Sequence, residues 1–137
     1  MTRLVLADSS ALFAMVDSRD RHAPAARTFL LESQDASYLV PDTVFCEAMT
    51  LIKARLGAVT AVEVGSRIQA STRFRLQHVE PADHRATWEI FARYADKDWS
   101  YVDCSVLALA QRMKILEVFA FDHHFDQMGG LGLTRVP

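Results

Sequence analysis

Four acidic residues interrupt the most apolar segments of this chain and limit how it can fold. In chain order they are Asp8 after 4–7, Glu47 within 44–49, Asp103 within 101–104, and Asp122 after 118–121. Burying any one of them without a partner would cost roughly several kcal/mol. If the four converged, they would also repel one another unless a divalent cation lay among them. We therefore predict a metal site built from oxygen ligands.

The composition is that of a globular protein. The chain has 137 residues, and 50% of them are hydrophobic, which is enough for one buried core. Its formal net charge of −2 lacks the basic excess that is typical of nucleic-acid-binding domains. A polyanionic ligand would therefore have to be held locally, by metal and a few arginines. We predict a single domain over 1–137.

Cysteine spacing and hydropathy argue against a zinc site, a disulfide framework and a membrane span. Cys46 and Cys104 lie in unrelated segments without CxxC or Cys/His spacing, so neither a zinc site nor a disulfide framework is predicted. Both side chains are expected to turn into the core. No apolar run approaches the roughly 20 residues of a membrane span. The sequence thus predicts a soluble, cytoplasmic protein with reduced thiols.

Short apolar runs alternate with helical patterns along the chain. Strands are predicted at 4–7, 38–40, 76–79, 118–121 and 134–136, and helices at 9–16, 24–32, 41–57, 60–69, 81–94 and 101–112. Thr60 is expected to cap the fourth helix, and 129–132 is expected to be a turn. Strands separated by helices require crossover connections. The pattern therefore predicts an α/β fold with a mostly parallel central sheet and helices on both faces.

This arrangement brings the four acids to one edge of the sheet. Asp8 and Asp122 each follow a predicted strand, and ligands of open parallel sheets bind outside the carboxyl ends of the strands. Glu47 lies about one turn into the helix after the second strand, and Asp103 lies in the first turn of another helix. Because helices of this kind begin at the same edge, we expect the four side chains to reach one cleft.

Structural roles remain open for each of these acids. Asp8 and Asp122 are suited to cap the helices that follow them. Ser100 and Asp103 have the spacing of a capping box. Glu47 differs, because its neighbours at i−3, i+1 and i+4 are apolar and predict a place on the buried face. A structural ion pair with a remote arginine is the alternative for Glu47.

The motifs resemble those of PIN-domain ribonucleases, particularly the VapC toxins of prokaryotic toxin–antitoxin modules. In chain order they are Asp8-Ser9-Ser10, Glu47 within a helix, Ser100-x-x-Asp103-Cys104 and Phe121-Asp122-x-x-Phe125. Their order and spacing agree over nearly the whole chain. The resemblance implies a single PIN-like domain with metal-dependent endoribonuclease activity. It also implies an RNA substrate, a cognate antitoxin partner and a homodimer.

The resemblance further implies which residues form the site. The catalytic residues and ligands for Mg²⁺ or Mn²⁺ would be Asp8, Glu47, Asp103 and Asp122. Ser9 and Ser100 match hydroxyl positions often found beside such a site, and Asp98 and Asp126 are further acids near the motifs. A divalent cation suits phosphodiester hydrolysis, because it activates water near neutral pH and neutralises charge on the leaving oxygen. One ion or two remains open, and water is the expected nucleophile.

Other residues have weaker functional readings. His123 and His124 could approach a metal ion or a phosphate, but we expect an exposed pair, because adjacent residues diverge on a helix. The same two roles are open for His22 in the polar loop. The candidates for steering the RNA backbone, or for ordinary solvated surface, are Arg19, Arg21, Arg73, Arg75 and Lys97. Trp88 and Trp99 favour core or interface roles. A non-catalytic PIN-like binding module and a PIN nuclease that is not a toxin remain alternatives, whereas a receiver-like domain is disfavoured because its adjacent acidic pair and late lysine are missing.

Overall fold

A computed structural model describes residues 2–137, in which five parallel strands form one sheet in the order β3-β2-β1-β4-β5. The strands are β1 Arg3–Ala7, β2 Ala36–Pro41, β3 Phe74–Gln77, β4 Glu117–Phe119 and β5 Thr134–Val136. The predicted parallel sheet is confirmed. Consecutive side chains of β1, from Val5 to Ala7, are all fully buried. Because neighbouring residues of a strand point to opposite faces, helices cover both faces of the sheet.

Helices connect these strands, as the pattern predicts. In residues 2–137 they are α1 Ser9–Val16, α2 Ala23–Glu32, α3 Asp42–Leu56, α4 Ala58–Ala70, α5 Pro81–Arg93, α6 Tyr101–Met113 and a 3₁₀ helix, His123–Leu131. The helix α6 is buried continuously from Asp103 to Ala110, so all of its sides are covered and it lies within the core. None of the helices in this part of the chain combines the length and apolar character that crossing a membrane requires.

Several predicted boundaries are wrong. Gly57 is both the C-cap of α3 and the N-cap of α4, so Thr60 lies inside α4 and does not cap it. A glycine with φ of 95° and ψ of 164° reverses the chain without the intervening loop that a threonine cap would need. The predicted turn at 129–132 is mostly the end of the 3₁₀ helix, and only Gly132 beyond it is left-handed.

Two strands also end earlier than predicted. The strand β3 runs from Phe74 to Gln77 and not over 76–79. Its earlier start is stabilised by the Phe74 ring, which stacks on Tyr38 of β2 with 4.6 Å between the ring centroids. The strand β4 ends at Phe119, although the N–H of Ala120 still donates to the Val136 carbonyl at 3.1 Å. Asp122 therefore follows a short connection and not the last residue of a strand.

The backbone at Gly57 provides a test of the α3–α4 connection. Its dihedral angles lie in a region essentially restricted to glycine, so Gly57→Ala should lower the free energy of unfolding by about 1–3 kcal/mol. Urea unfolding measures the change. Gly130→Ala is the matched control, because φ there is not positive and an added Cβ would meet no atom within 4 Å. Equal loss in both variants would contradict the strain at Gly57.

Candidate active site

Asp8 lies directly after β1 and caps α1. Its Oδ2 accepts hydrogen bonds from the backbone N–H of Ser10 at 3.2 Å and from the Ser10 hydroxyl at 2.7 Å. The same hydroxyl accepts a hydrogen bond from the Phe121 N–H at 3.0 Å, which joins the end of β1 to the segment after β4. The second carboxylate oxygen of Asp8, Oδ1, is buried and has no hydrogen-bond partner within residues 2–137. Capping therefore accounts for only one of the two oxygens.

The surroundings of Asp8 disfavour its negative charge. Burial raises the pKa of the Asp8 carboxyl to about 7, although the two hydrogen bonds from Ser10 oppose the shift. The charges of Asp103 and Glu47 raise this pKa further. These three acids, from three separate segments, thus interact electrostatically, as the sequence-based placement requires. A cation between them would relieve both the burial and the repulsion.

Glu47 lies on α3 where this helix packs against α1. Its carboxylate is half-buried and accepts a hydrogen bond from the Ser9 hydroxyl. Within residues 2–137 it forms no salt bridge, so the alternative of a structural ion pair with an arginine is wrong. The partner that sequence reasoning could not identify is Ser9, a residue beside the first acid of the proposed site.

Asp103 is buried at the start of α6, and its predicted capping box is confirmed. The Ser100 hydroxyl accepts from the Asp103 N–H at 3.0 Å, and Asp103 Oδ2 accepts from the Ser100 N–H at 2.9 Å. The same Oδ2 lies 3.0 Å from Nδ1 of His124. Burial raises the pKa of Asp103, the bonds from Ser100 and His124 oppose this, and the charge of Asp122 adds to it.

His124 joins two of the predicted acids. Its Nδ1 lies 3.3 Å from Asp122 Oδ1 as well as 3.0 Å from Asp103 Oδ2. Asp122 also caps the 3₁₀ helix, since its Oδ1 accepts from the His124 N–H at 2.9 Å. The predicted exposed histidine pair is therefore right for His123 and wrong for His124, whose side chain is only 19% exposed. The signal that sequence reasoning missed was the capping turn at Asp122, which brings the side chain of His124 back towards the Asp122 carboxylate.

Two of the four predicted carboxylates, those of Asp8 and Asp122, line one cleft, and the other two lie beside it. In residues 2–137 the group of three or more possible ligands whose atoms all lie within 4.8 Å is Asp122, His123 and His124. An open cleft of about 390 Å³ is lined by Asp8 and Asp122. Glu47 borders an adjoining surface that shares Leu51 with this cleft, and Asp103 is joined to it through His124.

The donor set fits a hard divalent cation. Asp8 Oδ1 is a buried oxygen without a partner, and the carboxyls of Asp8 and Asp103 both have raised pKa values. Carboxylate oxygens are the ligands that Mg²⁺ and Mn²⁺ prefer. Hydrogen bonds from Ser9, Ser10 and His124 hold the acids in fixed orientations, as supporting residues commonly do around metal ligands.

The remaining acids and thiols near the motifs lie outside this arrangement. Asp98 is exposed, and Asp126 forms a salt bridge with Arg135 at 2.7 Å. Cys104 is buried as predicted, but Cys46 is exposed, so the prediction that both cysteines turn into the core is wrong for Cys46. Position 46 lies opposite the buried face of α3, which is formed by Val44, Ala48 and Ile52.

Two of the weaker candidates have structural partners. Arg73 donates from one guanidinium nitrogen to the carbonyls of Leu30 and Ser33, both at 2.8 Å, so it supports the fold. Trp99 is buried and donates from Nε1 to Gln127 at 2.8 Å, as its predicted core role requires.

The chain resembles known proteins in both sequence and fold. Residues 5–131 match the family model described as the PIN domain. The chain is 29% identical over 127 residues to the 23S rRNA-specific endonuclease VapC20 from two strains of Mycobacterium tuberculosis, covering 92% of this chain and 95% of the relative. The crystal structure of M. tuberculosis VapC20, described as a Sarcin-Ricin loop cleaving toxin, superposes with a TM-score of 0.84 at 26% identity, covering 91% of this chain and 95% of that one.

The pH dependence of stability tests the environment of Asp8. Because its pKa is raised from 3.8 to about 7, the folded state holds this proton more tightly than the unfolded state. The resulting stabilisation is complete below about pH 4 and is lost as the pH rises through about 7. In EDTA, the Tm of the wild type should therefore fall between about pH 5 and about pH 8. Asp8→Asn keeps the cap and has no such proton, so its Tm should fall less and match or exceed the wild type at the higher pH.

Asp96→Asn is the control for this experiment. Asp96 is exposed, so its replacement should leave the wild-type pH slope unchanged. An equal slope in Asp8→Asn and the wild type would contradict the raised pKa of Asp8.

Proposed function

The chain belongs to the PIN-domain family, and from that premise we propose that it is a metal-dependent endoribonuclease acting as the toxin of a toxin–antitoxin pair. The observation that carries this proposal is the buried, unpartnered Oδ1 of Asp8, in a carboxyl whose pKa is raised further by Asp103 and Glu47. Buried acids that repel one another lower the stability of the fold. Their position at the carboxyl edge of a parallel sheet, where ligands bind, therefore supports a role in cation binding.

Ribosomal RNA is the first substrate class to test. The similar protein VapC20 is named a 23S rRNA-specific endonuclease and described as cleaving the Sarcin-Ricin loop. Its similarity to this chain extends over almost the full length of both proteins. We therefore propose hydrolysis of phosphodiester bonds in structured RNA with exposed loops.

The four acids would hold Mg²⁺ or Mn²⁺, and these ligands are Asp8, Glu47, Asp103 and Asp122. A divalent cation bound there supplies positive charge for the scissile phosphate and lowers the pKa of water. The chain's own residues orient the ligands. Ser10 fixes Oδ2 of Asp8, and Ser9 holds Glu47. Because both oxygens facing Nδ1 of His124 belong to carboxylates, this nitrogen carries a hydrogen and donates it.

Water is the nucleophile in this proposal. Burial raises the pKa of the Cys104 thiol to about 11, so it stays protonated and unreactive near neutral pH. Cys46 is exposed, and within residues 2–137 no histidine lies within hydrogen-bond distance of it. Covalent catalysis by a cysteine therefore has no support.

Protein partners complete the proposal. The resemblance to VapC toxins implies a cognate antitoxin, a homodimer and a cytoplasmic location. Large apolar side chains are exposed on two helices and would suit such contacts. They are Val59 and Val62 on α4, and Trp88 and Phe91 on α5.

Cleavage of RNA by the purified protein tests the activity and its metal dependence together. Wild-type protein, free of partner, should cut RNA with Mg²⁺ or Mn²⁺ and should not cut it in EDTA. Asp8→Asn, Glu47→Gln and Asp103→Asn should each lower the cleavage rate by about 100-fold or more, because an amide binds a hard cation poorly.

Matched controls separate this loss from misfolding and contamination. Asp96→Asn and Glu63→Gln replace exposed acids outside the cleft and should cleave at the wild-type rate. Circular dichroism should show the same fold for every variant. Full cleavage by all three site variants, or by wild type in EDTA, would refute the assignment of the site.

Growth of an expressing host tests the toxin role. Expression of the chain alone should slow growth, whereas Asp103→Asn should not, because only the former cleaves RNA. Co-expression of the antitoxin should restore growth. Normal growth despite abundant folded wild-type protein would favour a PIN nuclease that is not a toxin.

A further inference from the structure

We propose that Arg21, His22, Arg55 and Phe121 form an RNA rim around the acidic cleft, which binds an unpaired RNA segment. In this arrangement the two arginines contact backbone phosphates, and the two rings stack with a base. The inference rests on the proposed function and specifies the substrate of the same site. All four residues line the cleft that also contains Asp8 and Asp122.

The two arginines are available for phosphate. Both are exposed, and within residues 2–137 neither forms a salt bridge with a carboxylate. By contrast, Arg3 is paired with Glu117 and Arg112 is paired with Asp83. A cleft with acids on its floor repels a phosphate backbone, so unpaired cations at its edge are what RNA binding requires.

Neighbouring side chains hold these arginines at the cleft. The guanidinium carbon of Arg55 lies 5.3 Å from the ring centroid of Phe13, which is buried under it. A guanidinium stacked on a ring keeps its N–H donors available at its edge. Arg21 donates from Nε to Nε2 of His22 at 3.1 Å. Asp20 also lines the cleft, but its Oδ1 accepts the His22 N–H at 2.8 Å and belongs to that turn.

The rings of His22 and Phe121 form a stacked pair beside the catalytic acids. Their centroids lie 4.6 Å apart and their planes differ by 9°. Phe121 immediately precedes Asp122, and its N–H donates to the Ser10 hydroxyl that also bonds Asp8. A base stacked on this pair would therefore hold the adjoining phosphate near the acids. Stacking of this kind needs a base that is not already stacked in a duplex, which favours loops and single strands.

The net charge of the protein supports a local clamp for RNA. A formal charge of −2 gives no long-range attraction for RNA, so binding must come from a few well-placed contacts. An acidic protein segment, such as part of an antitoxin, could also pair with two arginines. It would gain less from the adjoining stacked rings, which suit a flat base.

Fluorescence anisotropy of a labelled, unstructured RNA oligonucleotide tests the rim. Full-length protein carrying Asp103→Asn is used with Mg²⁺ so that binding is measured without cleavage, and Asp8→Asn serves as a second inactive background. Adding Arg21→Gln or Arg55→Gln should weaken binding by about threefold to tenfold at low salt. Each change should also reduce the slope of log Kd against log salt by about 0.7, as expected for one lost phosphate contact with a single strand.

A second variant separates stacking from charge. His22→Ala should weaken binding but reduce the salt slope by less than Arg21→Gln does, because it removes a ring and the hydrogen bond that supports Arg21 while leaving the Arg21 guanidinium present. His22 precedes α2 without a side-chain capping bond, so this change should leave the helix intact. The control is Arg85→Gln, an exposed arginine on α5 outside the cleft, which should bind RNA as its parent does. A fully paired RNA duplex should bind more weakly than the single strand.

The outcomes distinguish the rim from the function on which it rests. If the wild type cleaves RNA while Arg21→Gln and Arg55→Gln bind and cleave as it does, the rim is refuted and the nuclease stands. Loss of antitoxin binding with unchanged RNA binding in these variants would make the surface a protein site and refute the rim. If the wild type neither binds nor cleaves any RNA, the proposed function fails and the rim fails with it.

Discussion

The burial of acids at one edge of the sheet is the constraint on which the rest of this structure depends. Burial raises the pKa of Asp8, and the charges of Asp103 and Glu47, which come from separate segments, raise it further. Parallel pairing of β1 with β4 brings Asp8 to the segment that leads to Asp122, because the N–H of Asp8 donates to the Phe119 carbonyl at 3.0 Å. The fold thus holds acids where burial and, to a lesser extent, their mutual repulsion disfavour the charged form, and the surrounding core must compensate.

The compensation comes from two kinds of contact. The helix α6 is buried along most of its length, so the backbone of Asp103 is held by apolar packing as well as by its cap. Short-range hydrogen bonds then orient each carboxylate, through Ser10 for Asp8 and through Ser100 and His124 for Asp103. Capping and cation binding are therefore complementary uses of the same acids, because one carboxylate oxygen can cap while the other remains available.

Sequence reasoning predicted the parallel sheet, the helices between its strands and the edge at which the acids lie. These follow from periodicity and from strand ends, which are local properties of the chain. It failed where the decisive contact was between distant segments. The Ser9 partner of Glu47 and the contact of His124 with Asp103 join residues far apart in sequence, and no local pattern encodes them. The α3–α4 connection was mispredicted for a different reason. The sequence predicted a short loop ending in a Thr60 cap, whereas Gly57 alone joins the two helices.

The pairing of β1 with β4 has a consequence for the synthesis of this protein. The site around Asp8, which follows β1, is completed only by β4 and the 3₁₀ helix, which are translated more than a hundred residues later. Contacts of such long sequence separation form late, after much of the chain is available. A ribosome would therefore carry a nascent chain whose first acid has no completed cleft around it. Under the proposed activity, the enzyme could not attack RNA near its own ribosome until nearly all of the chain had emerged.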